Sequence, residues 1–425
     1  MKLVKLTIFE FEEFANNHPL GSYHQTPNYA IAESEEGFDY ELLGLKNDDN
    51  ELVAASLILI KRIGLLFKYG YAPKGFLIDY YDKELLKTFI NELKKYYYKK
   101  NMAFIKINPE ITIGEINLNN HITTYNKNLE IEDILKQLNC KKLIDDTQFS
   151  SKIPKYNVII PLKHSNYKNF EKHTRNKINK GKKLGLELVK SDRNGLDILF
   201  NFIKNKKNYP INHYYNYYNS FIKNDSIDIF LVKINYEQSL INAKEIYEKE
   251  YDNNNKLIEL LMKKPSEELL KRKMDSDNVL NTYKNNITEL TRYLSSSEDC
   301  YIAGAITIKY KNRVNILISG YDKKYSSYAP NYFLHNELIN YYKDKYDFLD
   351  INGISGNFTK ENPYKGLDDF KIGFKPIAIE NIGEFDLIIN DGLYLNLDKN
   401  GILAKEFKRK QKKAPSTTWC FFIFS

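Results

Sequence analysis

The sequence predicts an α/β protein, of mixed α+β type, built from two related units in tandem. Two stretches of the chain repeat one order of elements (strand, turn, strand, loop, helix, strand) at an offset of about 260 residues. A purely helical segment lies between them and interrupts the second unit. The length of 425 residues suits two or three domains, each with its own core.

The first stretch begins with two apolar strand candidates at 41–62, which flank a polar turn at 47–50. A loop with the sequence YGYAPKGF follows at 69–76. Residues 83–100 carry apolar side chains at helical spacing, and a short apolar strand at 102–109 closes the stretch.

The second stretch repeats this order. Residues 302–322 predict strand, turn and strand, and a loop follows at 326–332. A helix is predicted at 332–345 and a strand at 346–353. Each of the two loops contains the tripeptide Tyr-Ala-Pro, which favours a duplication over a chance match.

Residues 236–297 predict two helices that fold back as an antiparallel coiled-coil hairpin. Apolar residues step 3-4-3-4 from Leu280 to Leu294, which is the spacing of a coiled-coil seam. Pro265 interrupts the pattern midway, and proline is disfavoured inside a helix. The segment 237–298 carries 10 Lys plus Arg and 12 Asp plus Glu, so the basic character belongs to the rest of the chain.

These patterns predict a division of the chain into four parts. They are a first unit at 1–149 completed by 379–410, a second unit at 150–235 plus 298–378, the hairpin arm at 236–297, and a tail of uncertain nature at 411–425.

Composition narrows the class of protein. A net charge of +8 favours a polyanionic partner, and 42% hydrophobic with 28% charged residues is typical of globular chains. The three cysteines form no CxxC pair, and neither a secretory signal nor an 18-residue apolar run is present. We therefore expect a cytoplasmic protein without a metal site.

The standard catalytic motifs are missing. The chain contains no GxGxxG, GxxxxGK[ST] or HExxH sequence, and no residue stands out as a nucleophile. We expect no cofactor.

The basic stretch KHTRNKINKGKKLG at 172–185 holds six Lys or Arg and no acidic residue. Phe170, Thr174 and Ile178 form an i, i+4, i+8 stripe, which predicts a helix whose cations lie off the buried face. One reading is a solvated surface helix. The other is that Arg175 and its neighbours hold phosphate oxygens, since arginine suits bidentate phosphate contacts.

A second candidate is the glycine-rich loop INGISGNFTKENPYKGLDDFKIGF at 351–374, which follows a strand. Loops at strand ends commonly carry ligand-binding and catalytic groups. The alternative is a long surface connection with a single lysine near its end.

Five segments together resemble the Fem family of aminoacyltransferases that form peptidoglycan bridges. They are GSYHQTPNYA (21–30), YGYAPKGFLIDY (69–80), HTRNKINKGKKLG (173–185), the helical hairpin, and INGISGNF…FKIGF (351–374). The resemblance implies two tandem acyl-CoA N-acyltransferase (GNAT)-like domains, with the coiled-coil arm inserted in the second. It implies transfer of an amino acid from aminoacyl-tRNA to the stem-peptide amine of a cell-wall precursor.

The resemblance also implies roles for residues. Arg175 falls where the family has a phosphate-binding arginine, and Lys371, after Phe370, falls on a family lysine near the reaction centre. We predict that Lys371 and Phe370 are catalytic. The candidates for substrate binding in the same motifs are Arg175, Lys177, Lys74, Gln25, Thr26 and Tyr328.

Three places depart from the family pattern. The family's Arg-Gly-Pro turn is Lys74-Gly75-Phe76 here. Glu33 stands where many relatives have a basic residue, and its carboxylate would repel a diphosphate. Asn108 stands where the family has an aspartate, so it could not manage protons as a carboxylate would.

The implied partners are aminoacyl-tRNA, a lipid-linked or nucleotide-linked peptidoglycan precursor, and related aminoacyltransferases. The basic and aromatic tail at 408–425 suggests contact with the inner face of the plasma membrane, or equally a non-native extension. Two other classes remain open: a CoA-dependent N-acetyltransferase of a small amine, and a non-catalytic RNA-binding protein.

Overall fold

The structure is a computed structural model that describes residues 1–63, 67–143, 153–206, 209–294 and 299–403. The helices are α1 (Ile8–Asn17), α2 (Pro27–Ser34), α3 (Lys83–Tyr98), α4 (Glu130–Gln137), α5 (Lys172–Lys183), α6 (Gly195–Ile203), α7 (Ile211–Phe221), α8 (Tyr236–Lys263), α9 (Glu267–Leu294), α10 (Pro330–Tyr342), α11 (Lys365–Ile372) and α12 (Asp391–Lys399). The strands are β1 (Lys2–Lys5), β2 (Asp39–Lys46), β3 (Leu52–Ile63), β4 (Phe67–Lys74), β5 (Met102–Pro109), β6 (Thr112–Ile116), β7 (Thr123–Tyr125), β8 (Cys140–Lys142), β9 (Tyr156–Pro161), β10 (Leu186–Ser191), β11 (Ile227–Ile234), β12 (Cys300–Tyr310), β13 (Arg313–Tyr321), β14 (Phe348–Gly353), β15 (Ile377–Asn381) and β16 (Phe385–Ile388).

The strands form two mixed sheets. The first sheet has the order β1-β2-β3-β4-β5-β16-β8, and the second has the order β10-β11-β12-β13-β14-β9-β15-β6-β7. In each sheet one pair of neighbours is parallel, β4 with β5 and β13 with β14. A helix joins the two strands of each parallel pair, α3 in the first sheet and α10 in the second, as parallel pairing requires.

The two sheets repeat one topology. Three consecutive antiparallel strands, a helix and a parallel strand occur as β2-β3-β4-α3-β5 and again as β11-β12-β13-α10-β14. The sixth strand of each sheet comes from a distant part of the chain. β16 pairs antiparallel with β5 in the first sheet, and β9 pairs antiparallel with β14 in the second.

The prediction of a loop at 69–76 was wrong, because residues 67–74 form β4. The last six residues of β4 are all buried, so this strand shows no alternation of polar and apolar residues. The glycine and proline in the strand also suggested a turn. As a result, the sequence comparison paired the strands at 41–62 with those at 302–322, which is a shift of one strand from the correspondence in the structure. β3 and β4, rather than β2 and β3, are the counterparts of β12 and β13.

Other elements follow the sequence prediction closely. The helix predicted at 83–100 is α3, and its apolar stripe of Leu86, Phe89, Ile90 and Leu93 is buried. The Asp82 side chain accepts a hydrogen bond from the backbone of the third helical residue, which caps this helix.

The two sheets share a hydrophobic core. One cluster of buried residues joins Tyr29 and Tyr69 of the first unit to Tyr217 and Ile229 of the second. In the same region α2 packs against α7. Strands β6 and β7 also belong to the second sheet, although they lie before residue 149. The apolar contact therefore fixes the two units against each other.

Helices α8 and α9 have 28 residues each and pack together along their length. Asn254 Nδ2 donates to Ser276 Oγ at 3.0 Å and to Asp277 Oδ1 at 2.9 Å. Tyr236 and Tyr293 stack at the other end, 5.3 Å between ring centroids. These contacts set an antiparallel register. The helices leave the sheet after β11 and return at β12, which is its paired neighbour.

Among the described residues, no helix combines the length and apolar character that crossing a membrane requires. The tail at 408–425 lies outside the described residues.

We predict that Asn254→Ala loosens α8 and α9 together, because each helix lacks a partner for its buried face once the other opens. Removing the buried amide leaves the Ser276 and Asp277 oxygens without this donor, which costs about 1–2 kcal/mol. Amide hydrogen exchange should then quicken in both helices. The exposed neighbour Asn255 provides the control, since Asn255→Ala should leave the exchange pattern unchanged. Exchange that quickened in α8 alone would contradict a cooperative pair.

Candidate functional site

The parallel strands β13 and β14 separate part of the way along their length. Their pairing covers three residue pairs and ends at Asn315 and Asp350, whereas β13 continues to Tyr321 and β14 to Gly353. The equivalent strands of the first sheet, β4 and β5, stay paired to their last residues. The second sheet is therefore open at a place where the first sheet is closed.

A cavity of about 910 Å³ lies at this opening. Residues 316–319 of β13 and 350–353 of β14 line it, together with residues of the first unit. Asn352 reaches across the opening, and its Nδ2 donates to the carbonyl oxygen of Ile316. Four residues predicted for the site line this cavity: Lys74, Lys177, Phe370 and Lys371.

Lys371 lies on α11 and is buried, with only 8% of its surface exposed. Its Nζ donates to the carbonyl oxygen of Gly353, at the end of β14, at 2.5 Å. This bond places the ammonium at the end of the open strand pair. Phe370 packs edge to face against Tyr332 and His335, with ring centroids 4.8 and 4.9 Å away, and these contacts fix the start of the Lys371 side chain.

His335 also lines the cavity, and no sequence motif marked it. Its Nδ1 lies 2.9 Å from the carbonyl oxygen of Asn331, so Nδ1 carries the proton. Burial lowers the pKa of His335 to about 4, and the positive charge of Lys371 acts in the same direction. The ring is therefore neutral at pH 7. In the sequence, His335 is marked only by lying four residues after Asn331, in a predicted helix, and that spacing does not distinguish it from other residues of a helix.

A network of charged side chains links the two sheets at the cavity. The Glu110 carboxylate follows β5 and lies 3.0 Å from Lys74 Nζ and 3.2 Å from Arg313 Nη1. Burial works against its ionisation, but the positive charges of Lys74 and Arg313 hold the pKa of Glu110 at about 2. Lys74 belongs to the first sheet and Arg313 to the second, so Glu110 bridges them. The sequence prediction missed both Glu110 and Arg313.

Asp350 extends this network into the second sheet. Asn157 Nδ2 donates to its two oxygens at 3.1 and 2.9 Å, and Arg313 Nη1 lies 3.9 Å away. Burial raises the pKa of Asp350, although the Arg313 charge opposes this shift. Asp350 is the last residue of β14 that is paired with β13, so the network sits where the strands part.

Asn108, which departs from the family pattern, supports the backbone of Lys74. Lys74 has a φ of 54°, in the left-handed region that costs energy for a residue with a side chain. Asn108 Oδ1 accepts a hydrogen bond from the Lys74 backbone nitrogen at 2.9 Å. The amide thus contributes to holding the Lys74 side chain in the cavity.

Gln25 and Thr26 use their polar atoms within the protein. Gln25 is fully buried, and it donates to the carbonyl oxygen of Pro73 at 2.7 Å and accepts from the nitrogen of Leu57 at 2.8 Å. Thr26 caps α2 by accepting from the nitrogen of Tyr29 at 3.2 Å. Both side chains build the turn that carries Ser22, Tyr23 and His24 into the cavity. A direct substrate role for either remains a prediction.

Arg175 and Tyr328 lie outside the cavity lining. Arg175 is half-buried on α5, and its Nη1 donates to the carbonyl oxygens of Lys168 and Phe170 at 2.8 and 2.6 Å. Lys177, two residues on, does line the cavity. The ring of Tyr328 packs against Tyr325 at 5.7 Å. Their roles in binding substrate remain predictions.

A fold of two α/β units that share a core and face one cavity is known from a solved structure. The crystal structure of FemX has this fold, with a TM-score of 0.71 and 21% sequence identity over 94% of this chain and 100% of that one.

The sequence comparison gives the family. The chain matches the FemAB family over residues 6–398 and therefore belongs to it, which confirms the resemblance seen in the motifs. Relatives named aminoacyltransferase FemA are 27% identical in Staphylococcus epidermidis and 26% identical in Staphylococcus aureus, over 418 and 414 residues. Each alignment covers 93% of this chain and 97% of the relative.

We predict that Glu110→Gln destabilises the protein by about 3 kcal/mol at pH 7, because two cations lose their carboxylate. A carboxyl group whose pKa falls on folding stabilises the fold above its unfolded pKa. That contribution fades as pH drops from near 4.5 towards 2. Urea unfolding of wild type and variant should therefore give free energies whose difference shrinks below about pH 5 and nearly vanishes near pH 2.

The control is Glu115→Gln, which removes an exposed carboxylate from β6 and should change stability by less than about 0.5 kcal/mol. A Glu110→Gln penalty that stayed constant down to pH 3 would show that Glu110 stabilises the fold by packing and not by charge.

Proposed function

We propose that this FemAB-family protein is an aminoacyltransferase that moves an amino acid from aminoacyl-tRNA to the stem-peptide amine of a peptidoglycan precursor. It thereby builds the interpeptide bridge. The observation that carries the proposal is the position of Lys371 at the end of the open strand pair, in a chain related along its length to aminoacyltransferases.

The chemistry suits the site. The amine attacks the carbonyl carbon of the aminoacyl ester, an amide bond forms, and the tRNA leaves with its 3′-terminal ribose oxygen. The reaction needs a positioned carbonyl, a deprotonated amine and a group that stabilises the oxyanion of the tetrahedral intermediate. Lys371 supplies a buried cation for that oxyanion, and Phe370 holds it in place through its aromatic contacts. No covalent enzyme intermediate is required.

The fold supports a finer interpretation. We assign the two units as GNAT-like domains, the first at 1–149 with 379–410 and the second at 150–235 with 298–378, except that β6, β7 and β15 pair in the second sheet and belong with the second domain. A parallel strand pair that opens into a cavity is a natural place for an acyl group, and β13 and β14 provide one. Helices α8 and α9 serve as a coiled-coil arm inserted in the second domain, because they leave and rejoin it at neighbouring strands.

Both proposed substrates are anions. The tRNA is a polyphosphate, and the precursor carries a diphosphate and a peptide carboxylate. The cations of α5 suit these charges, with Lys177 in the cavity lining and Arg175 beside it on the same helix. A lipid-linked precursor would bring the protein from the cytoplasm to the inner face of the plasma membrane. A complex with related aminoacyltransferases would fit stepwise bridge assembly.

The direct test is incubation with a pool of charged tRNAs and either lipid-linked or nucleotide-linked precursor, followed by mass spectrometry of the precursor. An added mass equal to one or more amino acid residues supports the proposal and identifies the residue. A parallel reaction contains acetyl-CoA in place of tRNA. Acetylation there, with no aminoacylation, would overturn the proposal in favour of an N-acetyltransferase.

We predict that Arg175→Ala weakens precursor binding ten- to a hundredfold, because a charge-assisted phosphate contact is worth about 1.5–3 kcal/mol. The maximal rate at saturating precursor should change little, since such a contact is present in both ground and transition states. Calorimetry measures the binding constant. Arg193→Ala, at an exposed arginine that lies over the Tyr215 ring, is the matched control and should bind normally.

Lys371→Met should have the opposite signature, because a cation aimed at the oxyanion acts mainly in the transition state. We expect precursor binding to stay within a few fold and the single-turnover rate to fall by a hundred- to a thousandfold, about 2.7–4 kcal/mol. Lys365→Met removes an exposed lysine from the same helix and should turn over normally. If Lys371→Met bound precursor poorly but reacted normally at saturation, Lys371 would be a phosphate-binding residue instead.

A further inference from the structure

A second group of polar side chains lines the cavity where α2 of the first unit packs against α7 of the second. Glu33 and Glu36 come from the end of α2 and the turn after it, and His213 and Tyr217 come from α7. None of them is explained by the transfer chemistry at Lys371.

Only one of the two carboxylate oxygens of Glu33, Oε1, has a hydrogen-bond partner among the described residues. The side chain is buried, with the residue 8% exposed, and Tyr217 Oη donates to Oε1 at 2.6 Å. Among the described residues no hydrogen bond or ion pair to Oε2 is found, and the Glu33 residue lines the cavity. A buried carboxylate without a full set of partners costs energy, and a cationic donor is the ligand that best removes this cost.

A second carboxylate lies close by. Glu36 Oε1 is 3.0 Å from His213 Nδ1, and the ring of Tyr209 stacks on His213 with 4.1 Å between centroids. Burial raises the pKa of Tyr209, and the negative charges of Glu33 and Glu36 add to that shift. The Tyr209 phenol therefore lies within the field of both carboxylates and stays neutral.

Aromatic rings form the walls around these carboxylates. Tyr29 meets Tyr217 edge to face at 6.1 Å, and both line the cavity. Lys61 Nζ lies 4.6 Å above the ring of Phe38, so the protein already places one ammonium on an aromatic face here. Glu33 and Glu36 contribute two carboxylates to this part of the cavity lining.

We propose that this pocket, formed by Glu33, Glu36, Tyr29, Tyr209 and Tyr217, binds a primary ammonium group of a substrate. Carboxylates supply charge-assisted hydrogen bonds to an ammonium, and the ring faces supply cation–π attraction. The identity of the substrate rests on the proposed function. Its two possible sources are the side-chain amine of the acceptor stem peptide and the α-ammonium of the aminoacyl group.

The pocket also accounts for the departure at Glu33. A basic residue at this position would attract phosphate, whereas a buried carboxylate repels it and attracts a cation. The first unit therefore offers a substrate ammonium group a binding surface at Glu33.

Direct binding tests the pocket without any reaction. The probes are Nα-acetyl-lysine amide for the stem-peptide amine and glycine methyl ester for the aminoacyl ammonium, with Nα-acetyl-norleucine amide as the uncharged analogue. Saturation-transfer NMR should show that one charged probe binds wild type at least about tenfold more tightly than the uncharged analogue. Glu33→Gln keeps the side-chain size and should abolish that preference.

Glu35→Gln is the matched control, since Glu35 is exposed on the same turn and lies outside the cavity lining. It should bind the probes as wild type does. If Glu33→Gln fails to fold, as judged by its melting curve, Glu36→Gln removes the second, partly exposed carboxylate and should weaken the preference for the charged probe. Equal binding of charged and uncharged probes to wild type would overturn the proposal.

Steady-state kinetics then identify the source. If the acceptor amine binds here, Glu33→Gln should raise the KM for precursor about tenfold and leave that for aminoacyl-tRNA unchanged, and the converse identifies the aminoacyl group. Transfer that proceeds without any Glu33 dependence would refute the pocket and leave the proposed function standing. Glu33-dependent probe binding without transfer from any charged tRNA would support the pocket and refute the proposed function.

Discussion

The separation of β13 from β14 is the constraint on which the site depends. The two strands pair over three residue pairs, and beyond these pairs they separate and leave a gap between them. Unpaired backbone groups are costly unless water, a side chain or a ligand satisfies them. Asn352 meets part of this cost by donating to Ile316 across the gap. The remaining space is the cavity, and Lys371 reaches its edge because Gly353 ends the open strand there.

The cavity combines both signs of charge in a confined space. Cations line it at Lys74, Lys177, Arg313 and Lys371, while carboxylates line it at Glu33, Glu36, Glu110 and Asp350. Glu110 joins Lys74 to Arg313, so these two cations share one carboxylate and help to bind the sheets together. Lys371 and Glu33 also have neutral hydrogen-bond partners, since Lys371 Nζ donates to the Gly353 carbonyl oxygen and Glu33 accepts from Tyr217. The two charges suit a substrate with an anionic and a cationic group.

Local patterns in the sequence predicted the helices α3, α5, α8, α9 and α10 and fewer than half of the described strands. The strand predicted at 102–109 is β5, and Pro265 separates α8 from α9, since proline is disfavoured inside a helix. β4 was missed because strands buried on both faces carry no periodic signal. The lysines at 74 and 371 were found through motifs. Glu110 could not be, because its partner Arg313 is 203 residues away and only the fold brings them together.

The late position of β16 in the chain has a consequence for how the protein folds during synthesis on the ribosome. β16 fills the place between β5 and β8 in the first sheet, so the N-terminal unit stays incomplete until residue 388 has been synthesised. A fragment that ended near residue 149 would expose the unpaired edges of β5 and β8, which are surfaces prone to aggregation. The two units therefore complete their folding together, late in translation. A fragment that contains only one of them should not fold on its own.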